Sequence, residues 1–279
     1  MGFNMDCREF DIAATEVILH EHTNELMPMT QVAKQVGLST SHLRRKFKQS
    51  FGVTPTDYHA AIRLDRAALL LIYTKKTIME VALECGYQDH AAFSRVFRRH
   101  FQLSPRAYRE KLRTTIGAQG MALRNSRRIE IQESSQQEFF LVMRAFSDSS
   151  MTEESVRQHL LSLCPQKAKE SILEPVCFLY DDPRITPAHR IRKDVGYRMA
   201  RRETWHPPLP LRWLTVEPGR SMSTDLDSWE DFEAAFQHMA LNWALTNGEQ
   251  IKVDHSRIMY QAGKREAGAA FMKLLVPLE

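Results

Sequence analysis

Two short stretches of the chain carry cations at spacings that gather them on one side of a helix. Arg44, Arg45 and Lys48 form the first set, with Ser41 one turn earlier. Arg95, Arg98 and Arg99 form the second, with His90, Ala91 and Ser94 before or among them. An arginine offers two parallel N–H groups that match O6 and N7 of guanine in the DNA major groove. Lys48 and the later arginines suit phosphate oxygens, which position a protein without reading sequence. The chemistry these residues support is recognition of double-stranded DNA rather than bond breaking. One such arginine is an ordinary surface charge; the same arrangement twice is a stronger signal.

Charge distribution agrees. The net charge of +4 divides very unevenly. Residues 30–113 hold 16 Lys/Arg against 6 Asp/Glu, residues 1–29 hold 1 against 6, and the remainder 21 against 22. A local excess of ten positive charges draws a polyanion.

The elements that must carry these side chains are legible as a repeat. Gln31-Val-Ala-Lys-Gln-Val-Gly-Leu38 aligns with Glu80-Val-Ala-Leu-Glu-Cys-Gly-Tyr87 at an offset of 49. After one inserted residue the match continues at 50: Leu43, Arg45, Phe47, Phe51, Pro55 and Tyr58 fall on Phe93, Arg95, Phe97, Phe101, Pro105 and Tyr108. Each copy reads as helix, glycine-centred turn, helix. Gly37 and Gly86 supply the left-handed turn. Ser39 and Asp89 cap the second helices, and Thr77 with Glu80 forms a capping box. Leu43/Phe47 and Phe93/Phe97, each pair four residues apart, face inward. Thr54-Pro55-Thr-Asp57 opens a long helix running to about Tyr73 that joins the copies. Ser104-Pro105 opens a further helix. A helix-turn-helix unit lays its second helix in the major groove, so two units on one rod reach successive grooves about 34 Å apart. One copy of the chain can then suffice.

These residues resemble the AraC/XylS-type DNA-binding domain over about residues 10–113. The carriers are Val32-Ala33, Gly37-Leu38-Ser39, Leu43 to Lys48, Phe51-Gly52, Pro55, Tyr58, Arg63-Leu64, Ala67, Ile78, Val81-Ala82, Cys85-Gly86-Tyr87, Phe93 to Phe97, Phe101, Ser104-Pro105 and Tyr108-Arg109. The resemblance implies seven helices, two recognition helices, activation of transcription and contact with RNA polymerase. It places base contacts on Ser41, Arg44, Arg45, His90, Ala91, Ser94 and Arg95. Ala91 and Ser41 are short, which shifts part of the recognition onto phosphates or DNA shape.

The second half changes character. Residues 114–126 have no clear period and read as a linker. Strands are expected over 127–133, 139–146, 176–180, 195–200, 211–216, 257–260 and 271–276. Helices are expected over 153–164, with Val156, Leu160 and Leu163 inward, and over 229–246. The latter is capped by Ser228 and turns Trp229, Phe232, Phe236, Met239 and Trp243 to one face. The order strand–helix–strand–strand occurs twice, predicting an α+β domain of two similar halves after an all-α N-terminal domain. Domain boundaries are expected at 8–115 and 127–279.

This half resembles the GyrI-like effector-binding domain through Tyr180-Asp181-Asp182-Pro183, Thr186-Pro187, Arg192 to Gly196 and Pro218-Gly219-Arg220. The order of the two domains resembles that of Rob-like regulators. The resemblance implies a cleft for a small amphipathic or cationic molecule, and the candidate lining is Tyr180, Trp205, Trp213 and Tyr260. The acid that such domains often place two residues before the tyrosine of the penultimate strand is Ile258 here. Glu217 is the nearest substitute, although an exposed loop position is its plainer reading. The other reading of this half is a protein-interaction or masking module that binds no small molecule.

Enzymatic readings find little support. No Ser/His/Asp arrangement or phosphate-cradling glycine loop is visible. Cys164-Pro165-Gln166 lacks the histidine that would activate its thiol. Cys7, Cys85, Cys164 and Cys177 stand far apart with no CxxC, so neither zinc nor a disulfide framework is expected. His20 and His22 lie two apart on a helix and point away from each other. No apolar run reaches membrane-spanning length, and no secretory signal opens the chain. The expectation is a cytoplasmic regulator without a cofactor, able to act as a monomer.

Overall fold

The computed structural model describes residues 7–121, 128–146, 153–260 and 272–279. They form two compact units. Met1–Leu71, Lys76–Arg106 and Pro208–Pro210 make the first; Ile72–Lys75, Ala107–Pro207 and Leu211–Glu279 make the second.

Seven helices lead the described residues: α1 (Cys7–Glu21), α2 (Met29–Gln35), α3 (Thr40–Phe51), α4 (Pro55–Tyr73), α5 (Ile78–Glu84), α6 (His90–Phe101) and α7 (Pro105–Met121). Their ends are where the cap residues put them. Ser39 Oγ accepts the His42 amide at 3.3 Å. Asp89 accepts two amides, from Ala91 at 2.9 Å and Ala92 at 3.0 Å. Thr77 and Glu80 exchange both bonds of a capping box. Such caps satisfy helix-start amides that have no partner inside the helix.

Helix α7 corrects the linker expected from residue 114. It runs on to Met121, and the hydroxyls of Thr114 and Thr115 donate to the carbonyls of Glu110 and Lys111, one turn back. That back-bonding keeps hydroxyl residues inside a helix despite their weak propensity. Residues 122–126 of the expected linker lie outside the described residues, as do Arg127 and Phe271 of two expected strands.

Gly37 and Gly86 both take the left-handed conformation, at φ +70° and +72°. Their surroundings differ. A Cβ on Gly37 would meet nothing within 4 Å, whereas one on Gly86 would lie 2.7 Å from the Asn24 carbonyl oxygen. Gly37→Ala is expected to cost about 1–2 kcal/mol, from backbone strain alone. Gly86→Ala adds a backbone clash, and roughly 3 kcal/mol or more is expected. Denaturant unfolding of the two variants checks this; equal losses would refute the clash.

The second unit is built on one eight-stranded antiparallel sheet. Its strands are β1 (Glu130–Ser134), β2 (Glu138–Phe146), β3 (Ile172–Leu179), β4 (Arg192–Met199), β5 (Leu211–Val216), β6 (Gly219–Leu226), β7 (Ser256–Tyr260) and β8 (Met272–Pro277), in the order β1-β6-β8-β7-β3-β4-β2-β5. Helix α8 (Glu153–Leu163) follows β2, a short helix α9 (Gln166–Lys169) precedes β3, and α10 (Phe232–Gln237) follows β6. Strand β6 was not among the strands read from sequence. Its polar run Gly-Arg-Ser-Met-Ser-Thr hides a buried stretch, Met222, Ser223 and Thr224, with Leu226 buried beyond exposed Asp225.

The helix expected over 229–246 is composite. It begins as a 3-10 turn at Trp229–Asp231, continues as α10 and becomes π-helical over His238–Ala244. The wider π turn rotates the residues that follow it, so the straight stripe drawn from sequence breaks up. Met239, Ala240 and Ala244 are buried, Phe232, Phe236 and Trp243 are half-buried, and Trp229 is exposed.

The sheet has two unlike faces. Leu141, Met143, Cys177, Val195 and Leu211 project to one, where they pack with Val156 and Leu160 of α8. The buried side chains of β8, Leu274 and Val276, share that face by register, and α10 contacts β6 and β8. Phe140, Val142, Val176, Phe178 and Tyr180 form a separate cluster on the opposite face.

Candidate nucleic-acid interface

The site is built on α3 and α6, and its geometry is set by what the two helices bury. Leu43 and Phe47 of α3 are fully buried with Val32, Ala33, Tyr58 and Ile62. Phe93 and Phe97 of α6 are likewise fully buried, and rings run in sequence from Tyr87 through Phe93 and Phe97 to Phe101 at centroid spacings of 5.2, 5.5 and 4.6 Å. Anchoring one side of each helix so firmly leaves the other side no freedom to turn inward. Ser41, Arg44, Arg45 and Lys48 are exposed on α3. His90, Ala91, Arg95, Arg98 and Arg99 are exposed on α6, and Ser94 is half-buried. All ten residues named from sequence thus lie on the outward sides of two capped helices.

Their electrostatics fit a partner outside the chain. None of Arg44, Arg45, Lys48, Arg95, Arg98 and Arg99 is in an ion pair among the described residues. Lys46, between them in sequence, behaves differently: its Nζ donates to Asp11 at 3.0 Å and its side chain is largely covered. Free guanidinium groups keep their full hydration and their full attraction for phosphate.

Helix α4 ties the two helix-turn-helix units together. At its start, the Tyr58 hydroxyl donates to Glu16 of α1 at 3.2 Å, and its ring lies 5.2 Å from Phe47 of α3. Further along, buried Arg63 donates through Nε to the Cys85 carbonyl at 2.8 Å, beneath the turn at Gly86. Its guanidinium lies 4.4 Å from the centroid of the Tyr87 ring. Arg66 and Lys76 both reach Glu84 of α5, at 3.1 and 2.6 Å. The sequence repeat marks α4 as the connector; it gave no sign that Arg63, basic like the outward-facing residues, is a structural bolt. Its only sequence hint is a position on the apolar side of α4, between Ile62 and Leu64.

The four residues named as a ligand pocket do not come together. Tyr180 belongs to the cluster of Phe140 and Phe178, whereas Trp205, Trp213 and Tyr260 pack against the α8 core on the other face. Trp213 Nε1 donates to the Trp205 carbonyl at 3.0 Å, and the Arg157 guanidinium covers the Tyr260 ring at 4.7 Å. Those three aromatics hold α8 and the connection before β5 in place. Ile258 is fully buried and also points to the α8 side. Glu217 is an exposed loop residue whose carboxylate accepts from Gln137 at 2.9 and 3.0 Å. Burial pushes the Cys164 thiol up, away from the thiolate a nucleophile needs.

Comparison with known proteins agrees with the helical site. Residues 32–111 match the family model for a helix-turn-helix domain. A lactose operon transcription activator from Staphylococcus xylosus is 33% identical over 99 residues, 36% of this chain and 36% of that protein. The HTH-type transcriptional activator RhaS of Salmonella schwarzengrund (strain CVM19633) is 40% identical over 92 residues, 33% of each chain. A solved transcriptional regulator with an AraC-type DNA-binding domain, from Chromobacterium violaceum, is 33% identical over 36% of this chain and 90% of that one, with a TM-score of 0.35. The chain spans about a third of the length of the curated relatives it matches. Over that third it is similar to helix-turn-helix transcription activators. No helix of the described residues is long and apolar enough to cross a membrane.

Proposed function

We propose that the chain is a sequence-specific DNA-binding regulator of transcription, an activator, that sets α3 and α6 into successive major grooves of one duplex. The observation that carries this reading is the pair of recognition helices, each anchored by two fully buried residues and each presenting unpaired cations outward. Arg44, Arg45 and Arg95 are the base readers, with Ser41, His90, Ala91 and Ser94 at the base edges. Lys48, Arg98 and Arg99 hold phosphates. The homology to transcription activators supports the regulatory role, and RNA polymerase is the proposed protein partner.

The second unit is proposed as the sensing part, in line with its GyrI-like resemblance. Its strand order supports a duplicated origin. Reading outward from the central β3–β7 pair, β3-β4-β2 on one side mirrors β7-β8-β6 on the other, with α8 and α10 in equivalent places. Each half is strand–helix–strand–strand, and the further strand ahead of each, β1 or β5, lies at the far edge of the other half.

Selection from a pool of random duplexes with the full chain tests the DNA reading. The expected product is an enriched sequence in two blocks, about 10 base pairs apart centre to centre. Its affinity should fall steeply with salt as counterions are released from the contacted phosphates. A pool that stays random through successive rounds would refute sequence-specific binding.

A further inference from the structure

The face of the sheet away from α8 carries charge that apolar sheet packing does not call for. By register, Arg144, Asp194, Phe178 and Arg257 lie in one row across β2, β4, β3 and β7. Phe140 and Arg198 lie opposite each other two rows along on the same face, past Val142 and Gly196. Four guanidinium groups here, Arg144, Arg198, Arg212 and Arg257, meet three carboxylates, Glu138, Glu174 and Asp194. Among these seven groups the positive charges outnumber the negative by one.

That excess has an unfinished end. Arg257 is 4% exposed, and its Nη2 donates to Glu138 at 2.5 Å while the guanidinium sits 5.7 Å from the Phe140 ring centroid. Its Nε and Nη1 are buried without a hydrogen-bond partner. Ser223 Oγ, in the same row two strands away, is also buried and unpartnered. Buried guanidinium N–H groups are rarely left unmade, because their desolvation is then uncompensated. Beside them lie the edge-to-face rings of Phe140 and Phe178, 5.0 Å apart. Half-buried Glu138, Arg198, Leu214 and Met259 rim the patch and leave it a way to solvent.

We propose that this face binds a small anionic molecule with a flat apolar body, an aromatic or amphipathic carboxylate, whose carboxylate accepts from an unpartnered N–H group of Arg257. The inference rests on the sensing role proposed for the second unit, and it reverses the charge preference implied by the family resemblance. A cation here would meet the unpartnered N–H groups of Arg257, so selection works by repulsion as well as attraction. Charge-assisted bonds from guanidinium to carboxylate are among the stronger ones available.

Three probes of one shape separate the possibilities: 2-naphthoate, 2-naphthalenemethanol and 2-naphthylmethylammonium, titrated calorimetrically into the full chain. The naphthoate should bind at least about tenfold more tightly than the alcohol, and the ammonium most weakly. Arg257→Lys keeps the charge beside Glu138 but removes the two free N–H groups. It should weaken naphthoate about tenfold and leave the alcohol unchanged. An Arg257→Met, Glu138→Gln double variant, which leaves no buried charge unpaired, should abolish the preference for the anion. Preferred binding of the ammonium, or equal binding of anion and alcohol, overturns the proposal while the sensing role survives. Binding of none of the three overturns both and favours a partner-docking module. Neither outcome touches the duplex selection, which tests the first unit alone.

Discussion

Arg45→Ala is expected to weaken binding to the selected duplex by roughly 1–3 kcal/mol, that is about 5- to 150-fold, with little change on random duplex. The difference between the two duplexes is the informative quantity. Arg45 is exposed on the outward side of α3 and in no ion pair among the described residues, so its removal leaves nothing unpaired in the free protein. The loss is therefore a loss of recognition and not of fold. Arg95→Ala, at the equivalent position of α6, should show the same pattern. Lys48→Ala and Arg99→Ala should instead weaken both duplexes alike and flatten the salt dependence by about one unit of slope each. Competition measurements at one fixed salt concentration distinguish the cases. Equal losses of Arg45→Ala on both duplexes would make Arg45 a phosphate contact only.

The largest expected loss of stability comes from Asp194→Asn, at about 3–5 kcal/mol. Asp194 is fully buried, and its two oxygens take four donors. Arg144 Nε lies at 2.8 Å from Oδ1, Arg212 Nη1 at 3.3 Å from Oδ1 and Nη2 at 2.5 Å from Oδ2, and the Tyr180 hydroxyl closes the set. An amide would remove the charge that Asp194 sets against two buried guanidinium groups and would turn N–H groups toward them. Burial by itself pushes the Asp194 carboxyl up. The charges of Arg144 and Arg212, with the hydrogen bonds from Arg144 and Tyr180, overcome that and hold it well below the usual carboxylate range. A carboxyl whose folded value is depressed contributes stability that is fully present above its unfolded value, near 4. That contribution is lost as pH falls from there toward the folded value. The wild-type chain should thus lose stability in acid below about pH 4 more steeply than Asp194→Asn. Denaturant midpoints over pH 3–7 provide the comparison; parallel curves would show that the carboxylate is not the acid-sensitive group.

How much of this was legible in the sequence follows from the range of the interactions involved. The helical half was readable almost to the residue because its signals are local. Ser39, Asp89 and the Thr77/Glu80 pair state where helices begin, and α4 ends at Tyr73, where the sequence placed it. The outward residues of α3 and α6 follow from a 3.6-residue period and two buried anchors each. The sheet half was legible in its elements but not in its faces. Tyr180 and Tyr260 both look like cleft aromatics in a sequence. Which face each takes depends on register, and a shift of one residue exchanges the faces. The partners of Asp194 lie 50 and 18 positions away on β2 and β5, and nothing local announces them. Strand β6 and the continuation of α7 were missed for a shared reason. Serine, threonine and glycine have weak propensities of their own, and tertiary pairing or back-bonding decides their state.

Arg63 carries a similar lesson about charge. It lies in the basic segment and raises the local positive count, yet it is buried against the Cys85 carbonyl and the Tyr87 ring. Net charge picked out the segment that matches the helix-turn-helix family model. Burial was needed to separate the arginines that face outward from those that hold the second helix-turn-helix unit on α4.

Methylation protection on the selected duplex, with wild type, Arg45→Ala and Arg95→Ala, bears most directly on the reading of one chain as two linked readers. The wild type should give two patches of protected guanine N7 positions, about 10 base pairs apart, at one copy of protein per duplex. Each variant should erase a different patch. One patch for the wild type, or two that vanish together in either variant, would contradict it.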